Sequence, residues 1–289
     1  MTGGRGYVLE DSPEGRTLVV TGPWSDDGAR ALARGEADGL ALNCARGFRE
    51  SSLDLLDGRW PLRRLDILDR SIVDLEPIGR LAGVEELSVQ AASNAVLDLG
   101  VLPGLRSATG EWALIGRTLS AVSGLERVVT WLFDDVDLHA FRDHVALETL
   151  TIKDAPYLEA LSGLGNLPAL ATLAVVGAPR LHEIDDVAGL SESLRELKFE
   201  ECPRIDAIDD VEALVGLRFL GISESGDIAS LAPVGSLKQL EAFYAWGSTR
   251  IIDGDLLPLA RLPRLKEIRM RNRRGYKPPV ADLVSALSA

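Results

Sequence analysis

Residues 147–152 read Leu147-Glu-Thr-Leu150-Thr-Ile152, and the same frame returns as Leu62-Arg-Arg-Leu65-Asp-Ile67, Leu194-Arg-Glu-Leu197-Lys-Phe199 and Leu217-Arg-Phe-Leu220-Gly-Ile222. With other apolar residues allowed at the second and third Leu positions, and Gly in one weak repeat, it restarts at Leu62, Val84, Leu105, Leu125, Leu147, Leu170, Leu194, Leu217, Leu240 and Leu265, at spacings of 20 to 25 residues. A period of that length marks a chain built of stacked units. Strand alternation sends the first, fourth and sixth residues of each frame inward and sets the third, fifth and seventh on the solvent face of a short parallel strand. One unit cannot bury its own apolar edge, so neighbours must stack. Each buried leucine contributes about 1.5–3 kcal/mol, which lets a chain with only 5% aromatic residues build a continuous core.

The frame resembles the leucine-rich repeat family. The tails Ile72-Val-Asp-Leu75-Glu-Pro77-Ile78 and Ile228-Ala-Ser-Leu231-Ala-Pro233-Val234 are similar to its short-repeat, internalin-like type, and the resemblance covers residues 37 to 289. It implies an α/β leucine-rich repeat solenoid, with a curved parallel β-sheet on the concave face, short helices or turns on the convex face, and protein recognition as its work. Two departures bear on the loops. Where the family often carries Asn at the ninth position, this chain has Arg70, Ala92, Ala155, Ala178 or Cys202, and three of these precede proline (Pro156, Pro179 and Pro203). Backbone stiffening is therefore expected to replace the side-chain amide ladder there. The repeat from Leu105 is the weakest, with Ala108 and Gly110 inward; lost volume refilled by Trp112, and a bend, are expected.

Residues 1–36 are predicted to form an N-terminal cap of hairpin and helix, and residues 37–289 the repeats with a C-terminal cap. Ser12-Pro13-Glu14-Gly15 is a turn-former between the strand-like runs Tyr7-Val-Leu and Thr17-Leu-Val-Val. Ser25-Asp26-Asp27 is a helix start before Ala29–Ala33, Leu40-Ala-Leu42 reads as the first repeat strand, and Val280–Ala289 as a closing helix after Pro278-Pro279. Met1 to Gly6 is polar and Gly-rich, with no apolar segment of the secretory kind. The longest mostly apolar stretch, Ala169–Ala178, is about half the roughly 20 residues a bilayer crossing needs. A cytoplasmic protein is the resulting expectation. Only five of the 31 basic residues are lysines, a bias that with abundant Ala, Gly and Asp suggests a GC-rich bacterial genome.

An apolar fraction of 46% excludes disorder, and a net charge of -13 argues against binding nucleic acid or an anionic membrane. No reaction centre emerges. His139, His144 and His182 lack metal-ligand spacing, and Asp134-Asp135-Val136-Asp137 lacks the glycine and distal Glu of a calcium loop. Ile184-Asp-Asp-Val187 recurs as Ile208-Asp-Asp-Val211, and these aspartates are predicted to cap short helical turns. Cys44 and Cys202 fall roughly 34 Å apart along a stack of strands about 4.8 Å apart, beyond disulfide reach, with Cys202 as a small buried residue. Gly163-Leu-Gly165 lacks the third glycine of a dinucleotide loop, and Gly221-Ile-Ser223-Glu-Ser225 the second glycine of a nucleophile elbow. No catalytic residue, cofactor or metal is assigned.

The informative pattern is the row of solvent-facing strand positions. It leans acidic in the early strands, around Glu86 and Glu111, and ends with Phe219, Tyr244 and Trp246 beside Arg269 and Arg271. Together with Trp131 these form the candidate partner-binding set, because aromatic residues and arginine dominate binding hot spots. The run Arg261, Arg264, Lys266, Arg269, Arg271, Arg273, Arg274 and Lys277 contains a single acid, Glu267. The expectation is a non-enzymatic module for an unidentified protein partner. Two alternatives remain, an acidic or nucleic-acid partner at the basic end, and a loop-borne enzyme activity.

Overall fold

The computed structural model describes residues 6–92 and 94–287. The Gly-rich first five residues of the expected cap, Ser93, and the last two residues of the expected closing helix lie outside the described residues. The fold is a leucine-rich repeat solenoid of the α/β class, and the chain divides into two compact units, Met1–Val128 and Val129–Ala289.

In the first unit β1 (Tyr7–Ser12) and β2 (Gly15–Val20) form an antiparallel hairpin closed by Pro13-Glu14, with Ser12 opposite Gly15. Helix α1 (Asp26–Ala33) starts where expected: the Ser25 side chain accepts from the Gly28 N–H at 3.3 Å, and Asp26 and Asp27 sit at the positive end of the helix dipole. Strands β3 (Gly39–Asn43), β4 (Arg64–Leu68), β5 (Glu86–Gln90) and β6 (Ser107–Glu111) follow in parallel register, so that Ala41, Asp66, Ser88 and Thr109 form one row. Inward Leu65, Ile67, Leu87 and Val89 are buried.

The weak repeat is repaired by the short helix α2 (Trp112–Ile115). Trp112 is buried as expected, but it is Ile115 that covers Gly110: a Cβ added there would lie 3.0 Å from Ile115 Cγ2. Because β6 runs straight into α2, Glu111 does not reach the solvent face. It is buried and ion-paired with Arg70 at 2.9 Å, which removes it from the expected acidic row.

Strand β7 (Arg127–Trp131) holds the point where the two units divide. The second unit contains β8 (Thr149–Lys153), β9 (Thr172–Val176), β10 (Glu196–Glu200), β11 (Phe219–Ser223), β12 (Asp227–Ile228), β13 (Ala242–Ala245), β14 (Arg250–Ile251) and β15 (Glu267–Met270). The order β8-β9-β10-β11-β13-β15 is parallel throughout, while β12 and β14 pair separately. Short 3-10 turns such as Asp185–Leu190 and Ala232–Ser236 return the chain, and α3 (Leu257–Ala260) and α4 (Val280–Leu287) follow near the end. Leu147, Leu150, Ile152, Leu158, Leu161 and Leu164 are all buried, so both the strand and the return of a well-matched repeat feed the same core.

The missing ninth-position Asn is replaced by backbone. At the eighth position Asp154, Gly177, Glu201, Glu224 and Gly247 all adopt left-handed φ, between 49° and 75°. This turns the N–H of Asp154 onto Val176 O (2.9 Å), of Gly177 onto Glu200 O (2.9 Å), of Glu201 onto Ser223 O (3.1 Å) and of Glu224 onto Trp246 O (3.0 Å). A ladder thus continues past the strand ends, and the ninth residue need only be small: Ala155, Ala178 and Cys202 are fully buried. Where that residue is Ser225, its hydroxyl donates to Ser223 O at 3.0 Å.

The aspartate repeat acts differently from expectation. The turns Asp185–Leu190 and Asp209–Ala213 begin on Ile184 and Ile208 without a side-chain cap. Instead Asp186 Oδ2 accepts from the N–H groups of Gly163 (2.7 Å), Leu164 (3.1 Å) and Gly165 (3.3 Å) in the preceding repeat. Gly163 permits this with φ at 110° and a close approach: a Cβ there would lie 2.7 Å from the His139 backbone.

Two stability measurements follow. Leu150→Ala is expected to cost about 2–5 kcal/mol in denaturant unfolding, while its solvent-facing neighbour Thr151→Ala moves the midpoint little. Asp186→Ala, which strands three amides, is expected to cost about 1–3 kcal/mol, whereas Asp185→Ala beside it stays within about 0.5 kcal/mol; equal effects would contradict the stapling role.

Candidate partner-binding surface

Register builds the candidate surface. Pairing of β11, β13 and β15 places Gly221, Tyr244 and Arg269 in one row and Phe219, Ala242 and Glu267 in the next. Beyond the strand ends the Trp246 N–H donates to Ser223 Oγ at 3.2 Å. Small residues give the rings their room. The Phe219 ring lies over Gly221, where a Cβ would be 3.1 Å from Phe219 Cε1. It meets Tyr244 edge-to-face, with centroids 4.9 Å apart and planes at 85°, the arrangement ring quadrupoles favour.

Two guanidinium groups stack on this aromatic floor. Arg269 lies 4.6 Å from the Tyr244 centroid and Arg271 lies 5.6 Å from that of Trp246, both within cation–π range. Glu267 fixes the first pair: it is held below the usual carboxylate range by the Tyr244 hydroxyl and then by Arg269, whose Nε donates to it at 2.6 Å. Burial, and then the bond to Glu267, pushes the Tyr244 hydroxyl up. The second pair is left open. Among the described residues Arg271 has no ion pair; it acts at longer range on the Glu224 carboxylate, which is held below its usual range first by its hydrogen bond from the Ser248 N–H at 2.8 Å. Trp246 is 52% exposed, so α4, which buries Val280 and Leu283, does not cover it.

The basic run is partly consumed within the structure. Arg273 donates to the carbonyls of Gly247, Ser248 and Thr249 at 3.1–3.2 Å and so braces the loop beside Trp246, while Lys266 pairs with Glu241 at 2.6 Å. Five of the six expected site residues, Phe219, Tyr244, Trp246, Arg269 and Arg271, come together. Trp131 stands apart, with β8, β9 and β10 between its strand and β11. Sequence reading missed Glu267 and Arg273 as organisers. For Glu267 a signal was present, since two-residue spacing puts it on the same strand face as Arg269; the carbonyls that Arg273 binds lie 24 to 26 residues away and left none.

Among the described residues no group of three or more His, Cys, Asp or Glu is placed to hold a metal ion. His139 Nδ1 is 3.0 Å from Asp137, and His144 is buried. Cys44 is exposed and Cys202 buried, both as free thiols, and burial pushes the Cys202 thiol up to about 11, away from the thiolate chemistry of reactive cysteines.

No family model and no curated protein matches the sequence. Solved structures do share the fold. An internalin from Listeria monocytogenes aligns at 17% identity over 90% of this chain and 83% of its own, with a TM-score of 0.55. A leucine-rich repeat protein of Leptospira interrogans aligns at 16% identity over 89% and 77%, TM-score 0.54. The leucine-rich repeat ectodomain of a plant membrane receptor kinase from Arabidopsis thaliana aligns at 13% identity over 88% of this chain and 36% of that one, TM-score 0.57. At such identities the likeness establishes the leucine-rich repeat solenoid fold, in the company of internalins and plant receptors. The cytoplasmic expectation is corrected: the internalin among these matches is a bacterial surface or secreted protein, and the plant protein is the ectodomain of a membrane receptor kinase. A polar start and short apolar stretches do not encode destination. Among the described residues no helix is long and apolar enough to cross a membrane.

Proposed function

We propose that this chain is a non-enzymatic protein-recognition module of the short-repeat, internalin-like type, which binds its partner through the solvent face of β11, β13 and β15. The observation that carries this reading is the pair of arginine–aromatic stacks, Arg269 on Tyr244 and Arg271 on Trp246, on one face with Trp246 half exposed. Aromatic and arginine side chains are the residue types on which binding energy concentrates. Here they are held by Phe219, Glu267 and Arg273 before any partner arrives, which lowers the ordering cost of association. The Arabidopsis ectodomain of the same fold is solved in complex with Casparian strip integrity factor 2, and repeat spacings of 20 to 25 residues support the short-repeat type. Residues 1–36, whose hairpin pairs with β3 through β2, are proposed as the N-terminal cap.

The open guanidinium of Arg271 favours a partner segment that offers a carboxylate there, against a chain of net charge -13. The proposal is tested by capturing a partner with the wild type and titrating it calorimetrically against Tyr244→Ala/Trp246→Ala. The double substitution is expected to weaken the complex at least about thirtyfold, about 2 kcal/mol, while Trp246→Ala alone leaves the melting temperature within about 2 °C. Unchanged affinity would remove the binding surface from these strands. A partner whose affinity collapses as a high power of salt concentration would mark nucleic acid instead.

A further inference from the structure

A cleft of about 420 Å³ opens on the solvent face of the first unit, between the strand row Ala41, Asp66, Ser88 and Thr109 and the β1–β2 hairpin. Its charges are unequally neutralised. Arg46 is taken by Glu10 at 2.5 Å, and Arg64 by Asp38 at 2.7 Å and by the Glu14 carbonyl. Asp11, on the hairpin wall, is taken by Arg16 at 2.6 Å. Two carboxylates lining the cleft remain, Asp66 and Glu86: among the described residues neither has an ion pair, but Glu86 feels the charge of Arg63, while Asp66 has no basic group acting on it. Asp66 is half-buried and its hydrogen-bond partner is the Ser88 hydroxyl; burial holds its carboxyl above the usual range. A partly desolvated carboxylate without a counter-charge is costly unless a cation is supplied.

We propose that this cleft binds an alkylammonium group, with Asp66 as its counter-ion, Ser88 and Thr109 as hydroxyl acceptors, and Glu86 at the rim. The three N–H donors of an ammonium suit one carboxylate flanked by hydroxyls. A hard metal cation requires six or more oxygens around it, and among the described residues no cluster of metal-ligating side chains exists. A sugar would be expected to stack on a ring, and no aromatic residue lines the cleft. An anion would face the Asp66 carboxylate, which has no counter-charge among the described residues. The group could be carried by a lysine side chain of a partner or by a free polyamine, and the chemistry at Asp66 is the same for both.

The test is calorimetric titration of the full chain with spermidine and with a blocked pentapeptide bearing one central lysine, beside its acetyl-lysine twin. Saturable 1:1 binding of at least one amine probe is expected, lost at least tenfold in Asp66→Asn, weakened about threefold in Glu86→Gln and unaltered in Trp246→Ala. Binding of the lysine peptide assigns the site to side chains; binding of spermidine alone assigns it to free amines. Saturable binding of neither amine, equal binding to Asp66→Asn, or equal binding of the acetyl-lysine twin would overturn the proposal. Should Asp66→Asn fail to fold, the exposed Glu86→Gln and the hydroxyl deletion Ser88→Ala read the same site. Because Trp246 lies in the other unit, loss of the partner-binding reading would leave this result untouched, and the reverse also holds.

Discussion

Everything in this molecule depends on the parallel registration of short strands whose fourth and sixth frame positions are apolar. Leu150 and Ile152, Leu173 and Val175, Leu197 and Phe199, and Leu220 and Ile222 are fully buried and stand beside one another in neighbouring strands. Stability is therefore assigned to one parity of each strand, and the other parity is released from packing. That release allows Gly221 to sit where a larger residue would do no harm to the core, and its lack of a side chain makes room for the Phe219 ring. The aromatic and arginine chemistry of this face is a consequence of where the core is, not an addition to it.

Successive repeats are joined by polar contacts that reach about one repeat along the chain. The left-handed eighth residues carry backbone bonds past the strand ends, and Asp186 gathers three amides of the loop before it. Ion pairs such as Lys266–Glu241, Arg250–Asp227 and Arg63–Glu85 span the same interval. They are exposed and contribute little stability each. Their larger effect is to decide which charges stay available. Arg271 in the second unit and Asp66 in the first remain without an ion pair among the described residues, and the opposite preferences proposed for the two surfaces rest on these two side chains.

The strand frame was legible because it is written in contiguous residues: all ten predicted frames carry a strand, each beginning two residues after the frame starts. The hairpin turn at Pro13-Glu14 and the helix start at Ser25 were legible for the same reason. Features that rest on contacts between repeats were not. Asp186 looks like a cap for its own turn, yet the amides it binds lie 21 to 23 residues earlier. The left-handed eighth position is hidden because Asp154, Glu201 and Glu224 occupy it as readily as Gly177 and Gly247. Glu111 obeys the strand parity in sequence and escapes it in structure, because α2 begins at the next residue. At the candidate surface the aromatic and arginine residues could be chosen from parity alone, whereas their stacking, the brace from Arg273 and the isolation of Trp131 could not. The cleft at Asp66 was invisible for the same reason, since its floor is drawn from four strands and its neutralised arginines depend on the hairpin.

The inward parity holds the fold, and the solvent parity of β11, β13 and β15 is proposed to meet the partner. Hydroxyl-radical footprinting of the chain alone and in complex tests it most directly. Complex formation is expected to reduce oxidation of Trp246, Tyr244 and Phe219, while the exposed apolar residues of the return segments, Val215, Ile252 and Leu257, oxidise as before. Protection of those three with no change at Trp246 and Tyr244 would contradict it and move recognition to the opposite side of the repeats.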